Sequence, residues 1–210
     1  MSFPEPIPAC PVQPASAAAY DVVVIGGSAG GIPALIHLLS ALPADFPLPI
    51  LAVQHLPAAA PSVLPQALGW RSRLPVVWAE DGARMQPGVV QVAPPDRHLV
   101  VRPGGRVGLS DAPRAGWWRP AVDVLFRSAA EVHGARTIAV VLSGMMWDGA
   151  AGIASVVRQG GMTIVQHETG CGHFDMPAAA LDLGGADVAL TPPQIARALQ
   201  VLAGETRAAA

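Results

Sequence analysis

The sequence predicts an α/β fold, a doubly wound and mostly parallel sheet of the three-layer, Rossmann-like kind, with an antiparallel hairpin region inserted near its middle. Three observations carry that prediction. Short β-branched apolar runs alternate with segments of helical periodicity, as buried parallel strands and their crossover helices do. The chain has 210 residues, of which only 13% are charged, a size at which one α/β domain buries a single sizeable core. Between residues 89 and 109 the alternation fails, because three strand-like runs follow one another too closely to admit a helix.

Residues 1–19 carry Pro4, Pro6, Pro8, Pro11 and Pro14 and read as a disordered leader. The folded domain is expected over 20–204, with a tail at 205–210. Val22 to Ile25 form the first strand. The turn Gly26-Gly27-Ser28-Ala29-Gly30-Gly31 leads into a helix whose Ile32, Leu35, Ile36 and Leu39 share one face, with Pro33 in the first turn, where a missing N–H costs nothing. Ile50–Gln54, Val76–Trp78, Thr137–Leu142, Thr163–Gln166 and Asp187–Leu190 complete the strands of the sheet. Pro120–His133, Ala150–Gln159 and Pro193–Leu202 are the expected helices. Val89–Ala93, Leu99–Arg102 and Arg106–Leu109, with Gly104-Gly105 as a tight turn, are read as an antiparallel hairpin region added to the sheet.

Composition excludes several classes of function. With 13 basic and 15 acidic residues the chain is close to neutral, so it offers no nucleic-acid surface. The uncharged stretch between Asp21 and Asp45 is interrupted by Gly26, Gly27, Gly30, Gly31, Pro33 and Pro43, and reads as strand, turn and helix instead of a membrane span. The first arginine is Arg71 and lysine is absent, so no secretory signal is expected and the cytoplasm is the default address, without direct membrane insertion. Cys10 and Cys171 show neither a disulfide framework nor metal-ligand spacing and read as free thiols. No cofactor and no metal is expected.

Chemistry gathers where strands end. The dinucleotide fingerprint needs glycine where Ser28 stands, and a P-loop needs a lysine. The pattern left is Gly-x-Ser-x-Gly, met by Gly26, Ser28 and Gly30, whose sharp turn exposes a hydroxyl above the sheet. A turn of this composition also forms simply to seat a helix against a strand. His55, Asp148 and His167 follow other strands. A serine needs a base to take its proton, and that base needs a carboxylate to fix its tautomer. Ser28, one histidine and Asp148 supply the set, although Asp148 also stands where it could cap the next helix. Spacing does not choose between His55 and His167.

The motifs do. Ile25-Gly26-Gly27-Ser28-Ala29-Gly30-Gly31, Val53-Gln54-His55-Leu56-Pro57, Val92-Ala93-Pro94-Pro95-Asp96-Arg97-His98, Arg119-Pro120-Ala121-Val122-Asp123-Val124-Leu125-Phe126 and Leu142-Ser143-Gly144-Met145-Met146-Trp147-Asp148-Gly149 stand in that order. Together they resemble the catalytic domain of the chemotaxis protein-glutamate methylesterases, the CheB family, from about Asp21 to Leu199. The resemblance implies that Ser28 is the nucleophile, His55 the general base and Asp148 its orienting partner, with the amides of Ala29 and Met145 facing the oxyanion. It implies hydrolysis of glutamyl methyl esters on the cytoplasmic helices of methyl-accepting chemoreceptors, with deamidation of receptor glutamines as a second activity. The position of His167 is not catalytic in the family.

The departures from the family pattern define further expectations. The family's phosphorylatable receiver domain is not expected ahead of the first strand, which leaves the chain unrestrained or governed by a separate response regulator. Met146 replaces a glycine and is expected to crowd the loop carrying the Met145 amide. Asp175 replaces a glycine near the rim, and Trp117-Trp118 read as core or hairpin-covering aromatics, with recognition of a partner by an exposed pair as the alternative. Two rival readings share the motifs: a non-catalytic scaffold that binds a receptor or signalling protein, and an esterase for a methylated protein outside chemotaxis.

Overall fold

A computed structural model describes residues 20–56 and 62–208. The leader with Cys10, Pro57 of the histidine motif and the last two residues of the expected tail lie outside the described residues. In chain order the elements are β1 (Val22–Gly27), α1 (Gly31–Ser40), β2 (Ile50–Gln54), α2 (Leu64–Gly69), β3 (Val76–Trp78), β4 (Val90–Val92), β5 (His98–Arg102), β6 (Arg106–Ser110), α3 (Val122–His133), β7 (Thr137–Val141), α4 (Ala150–Arg158), β8 (Met162–Gln166), α5 (Asp175–Asp182), β9 (Val188–Leu190) and α6 (Pro192–Ala208).

Seven strands form one parallel sheet in the order β3-β4-β2-β1-β7-β8-β9. The chain first winds outward from β1 through β2 and then returns to β1's other side with β7. β1 is therefore the switch point, the place where an open α/β sheet leaves a crevice at its carboxyl edge. All six residues of β1 are buried, and their alternation sorts them into two layers. Val23 and Ile25 pack with Leu35, Leu38 and Leu39 of α1 and with Ile195 and Leu199 of α6. Val22 and Val24 pack on the other face with Leu125 and Phe126 of α3 and with Ile153 and Val156 of α4. The buried stripe of α1 centres on Ala34, Leu35, Leu38 and Leu39, with Ile32 and Ile36 at its margin.

The hairpin region is reorganised relative to expectation. The run at 89–93 is not part of it: β4 lies inside the large sheet, parallel to both β2 and β3. Only β5 and β6 are antiparallel, and they form a sheet of their own. Pro103, Gly104 and Gly105 connect the paired Arg102 and Arg106, and Gly104 and Gly105 both take positive φ, 76° and 67°, which glycine adopts without steric cost. Leu99, Val101 and Val107 of this ribbon are buried with α3 in the second layer, where Ser128 Oγ accepts the Val101 amide at 2.9 Å. Two short helices, α2 and α5, were not foreseen, and α6 continues beyond Leu202 to Ala208. Among the described residues no helix is long and apolar enough to cross a membrane.

Candidate active site

Ser28 is the first residue beyond β1, and its backbone is held on both sides. Its N–H donates to the Ser143 carbonyl at 2.9 Å. Its carbonyl accepts Gln54 Nε2 at 2.7 Å and the Gly31 amide at 2.9 Å. The Ser143 amide in turn donates to Gln166 Oε1 at 2.9 Å. Gln54 and Gln166 are the buried last residues of β2 and β8, and hydrogen bonds made by a buried amide side chain hold the backbone they meet firmly. Gly30 completes the turn. It has φ 74°, and a Cβ there would stand 2.5 Å from Ser143 Oγ, so glycine is required on both counts.

His55 arrives from one flank of β1 and Asp148 from the other. Gly27 pairs with Gln54, and the His55 amide donates to the Gly27 carbonyl at 3.0 Å, so Ser28 and His55 are the next residues along adjacent strands. On the far side the Leu142 amide donates to Gly26 at 2.8 Å, and the loop that follows β7 carries Asp148 over to the histidine. His55 Nε2 lies 2.8 Å from Asp148 Oδ2. Its other nitrogen, Nδ1, is buried and has no partner among the described residues. With Nε2–H donated to the carboxylate, Nδ1 holds the free lone pair.

The Asp148 carboxylate, 1% exposed, does not cap the helix that follows it. It caps α3 instead, accepting the Val122 amide on Oδ2 at 2.7 Å and the Asp123 amide on Oδ1 at 3.0 Å. The positive end of α3 thus faces the carboxylate. Asp123 returns the arrangement: its Oδ1 accepts the Gly149 and Gly152 amides at 3.0 and 2.7 Å, at the start of α4. Burial, then the charge of Asp148, pushes the Asp123 carboxyl above its ordinary range.

The Gly144 amide is bonded to His173 O at 3.0 Å, and the Gly144 carbonyl accepts the Met176 amide at 2.9 Å. The next amide is that of Met145; among the described residues neither it nor the Ala29 amide has an acceptor. Met146 takes φ 68°. His167 stays out of the cluster, its Nδ1 accepting the Thr169 amide at 3.1 Å. Cys171 Sγ lies 3.2 Å from His173 O, and burial raises its thiol pKa. Asp175 is an exposed acid in the first turn of α5. Trp117 is exposed, whereas Trp118 is neither core nor hairpin cover: its ring stacks on His55. Among the described residues no group of three His, Cys, Asp or Glu side chains could hold a metal ion.

Sequence reasoning brought Ser28, His55, Asp148, Ala29 and Met145 forward, passed over Gln54, Gln166 and Asp123, and took Trp118 for core or hairpin cover. The glutamines did leave a signal, since each ends an otherwise apolar buried strand.

A parallel sheet with a serine, a histidine and a buried aspartate at its switch point defines the hydrolase-like class of α/β architectures. The sequence narrows that class. Residues 23–199 match the family described as CheB methylesterase, and the chain belongs to that family. A protein-glutamate methylesterase/protein-glutamine glutaminase of Anaeromyxobacter dehalogenans (strain 2CP-C) is 44% identical over 189 residues, covering 90% of this chain and 55% of the relative. A protein of the same description from Shewanella sp. (strain MR-4) is 40% identical over 199 residues, covering 90% of this chain and 56% of its own. The chain therefore spans little more than half the length of these curated relatives. The crystal structure of the Thermotoga maritima CheB methylesterase catalytic domain superposes with a TM-score of 0.83 at 38% identity, covering 87% of this chain and 98% of that one.

Proposed function

We propose that this chain is a serine hydrolase that removes methyl esters from glutamate side chains of methyl-accepting chemoreceptors, releasing methanol, and deamidates receptor glutamines by the same route. The observation that carries this reading is the polarised His55, with Nε2 on the buried Asp148 and Nδ1 buried and unpaired, at the end of the strand that pairs with the one leading to Ser28. Nδ1 takes the Ser28 proton as Oγ attacks the ester carbonyl. The oxyanion that forms is met by the Ala29 and Met145 amides, each such donor being worth about 10²–10³ in rate. Collapse expels methanol, protonated by His55, and leaves an acyl-serine. Water, deprotonated by the same nitrogen, frees Ser28 and a glutamate carboxylate. With glutamine the leaving group is ammonia.

The cytoplasm is the proposed site of action, because the receptor helices lie there, and a separate response regulator is the proposed source of control. Methanol release from receptor membranes carrying labelled methyl groups tests the reading. Wild type is expected to release methanol, and Ser28→Ala to lose about 10³-fold or more. If wild type releases none and Ser28→Ala still binds the receptors, the protein is a scaffold. Release from a methylated protein outside chemotaxis, and not from receptors, would move the substrate. Unchanged activity on adding a free receiver domain with phosphodonor removes the response regulator from the scheme.

A further inference from the structure

Trp118 touches the reacting histidine, yet neither the family motifs nor the chemistry above assigns it a part. Its ring centroid lies 5.5 Å from that of His55 with the planes 15° apart, and Trp147 meets Trp118 edge-on at 6.0 Å and 88°. A carboxylate on Nε2 fixes one edge of an imidazole but leaves the ring able to rock about that bond. A flat aromatic neighbour removes this freedom, and its negative face is complementary to the charge the ring gains on protonation.

The loop presenting Trp118 is built for rigidity. Ala115 and Trp118 exchange two backbone hydrogen bonds, at 3.1 and 3.2 Å, across Gly116 with φ 61°. The chain on both sides of that turn is tied to one carboxylate. Arg114 Nη2 donates to Asp96 Oδ1 at 3.1 Å. Arg119 donates through Nε to Oδ1 at 3.0 Å and through Nη2 to Oδ2 at 2.9 Å, the two-pronged geometry that Arg makes best. A small open hollow on this side is lined by His55, Leu56, Trp117, Trp118 and Pro120.

We propose that Trp118 is a positioning residue, holding the plane of the His55 ring so that Nδ1 is presented to Ser28 for proton transfer while Nε2 stays on Asp148. The proposal rests on the hydrolase reading of Ser28, His55 and Asp148, and its test separates the two. Purified chain is treated with a fluorophosphonate, which labels only an activated serine, and modification of Ser28 is followed by mass spectrometry. Wild type is expected to label. Trp118→Leu, which fills space without an aromatic face, is expected to slow labelling about tenfold, and Trp118→Phe to stay within about threefold of wild type, since a small loss of alignment is enough for such factors. In methanol release the Leu variant is expected to lower kcat and leave KM unchanged.

Indole fluorescence supplies a readout that does not depend on activity. A protonated imidazole quenches a stacked indole, so wild type is expected to show a pH-dependent quench that both Trp118→Phe and His55→Gln abolish. Failure of wild type to label at Ser28 overturns the hydrolase reading and this proposal with it. If wild type labels and Trp118→Leu labels equally fast, or the quench persists without Trp118, the positioning role alone is overturned.

Discussion

Met146 sits at φ 68°, in the left-handed region where a side chain costs about 1–2 kcal/mol and glycine pays nothing. Glycine carries its own penalty of about 0.5–1 kcal/mol in lost chain freedom, so the strain wins by a modest margin. Met146→Gly is expected to stabilise the protein by about 0.5–1 kcal/mol, measured by urea denaturation, without lowering methanol release. Its neighbour Gly144 behaves in the opposite sense, because an added Cβ would stand 2.9 Å from Ser28 Cβ and run into Met176 Sδ. Gly144→Ala is expected to cost about 1–3 kcal/mol and, by shifting the Met145 amide, to reduce kcat about tenfold or more. Both effects could be located from sequence as a motif departure at Met146 and a motif glycine at 144, but their signs needed the backbone angle and the neighbours. Ser28, His55 and Asp148 stood out as candidates because each follows a strand, and strands announce themselves by apolar runs; only the motif resemblance chose His55 over His167. Trp118 was not, since a loop tryptophan has no periodicity to say which ring it will meet.

At the scale of elements, the site depends on two helices that exchange carboxylates at their N-termini. Asp148, from the loop before α4, caps α3, while Asp123, from the first turn of α3, caps α4. Asp123→Ala would leave the Gly149 and Gly152 amides without a partner, at about 1–3 kcal/mol, and would loosen the loop that aims Asp148. Asp123→Asn keeps an oxygen for those amides and removes a carboxyl that burial, then Asp148, raises from 3.8. A raised carboxyl makes the folded state bind more protons than the unfolded one, so its ionisation lowers stability as pH climbs from about 3.8 through the folded value. The Asn variant is therefore expected to gain on wild type across that interval and to hold its advantage to neutrality, in denaturation series run from pH 3.5 upward. A gap that stays flat with pH would contradict the burial account. The elements themselves were mostly legible, and the exception is instructive. The run at 89–93 was taken for hairpin because it and the two runs after it follow too closely to admit a helix between them. In the structure the connection from β3 to β4 is irregular chain laced to the hairpin, with Met85 N on Gly105 O at 2.8 Å and Val107 N on Ala83 O at 2.9 Å. Hydrophobic periodicity detects crossover helices, and it has nothing to detect in a crossover made of loop.

Across the whole molecule the parallel sheet separates chemistry from foundation. The carboxyl edge of the strands holds Ser28, His55 and Asp148; the amino edge holds Asp21, which meets His133 Nδ1 and Arg136 Nε at 2.8 Å each and ties the start of β1 to the end of α3. Partial burial pushes the Asp21 carboxyl up, but the hydrogen bonds from Arg136 and His133 outweigh it and leave it below its ordinary 3.8. A depressed carboxyl contributes stability that is present above the unfolded value and lost as pH falls through the folded one. Since Asp21 is about a third exposed, solvent screening keeps the contribution to roughly 0.5 kcal/mol or less. Asp21→Asn is accordingly expected to lower stability slightly at pH 7, to lose that difference in acid below about pH 3.8, and to leave kcat for methanol release unchanged. Ser28→Ala is expected to show the mirror image, with activity abolished and stability within about 0.5 kcal/mol of wild type. Urea denaturation and methanol release, measured on both variants well below their melting temperatures, decide the matter. A fall in kcat for Asp21→Asn under those conditions would mean that β1 transmits disturbance along its whole length, and that the two edges of the sheet are one mechanical unit.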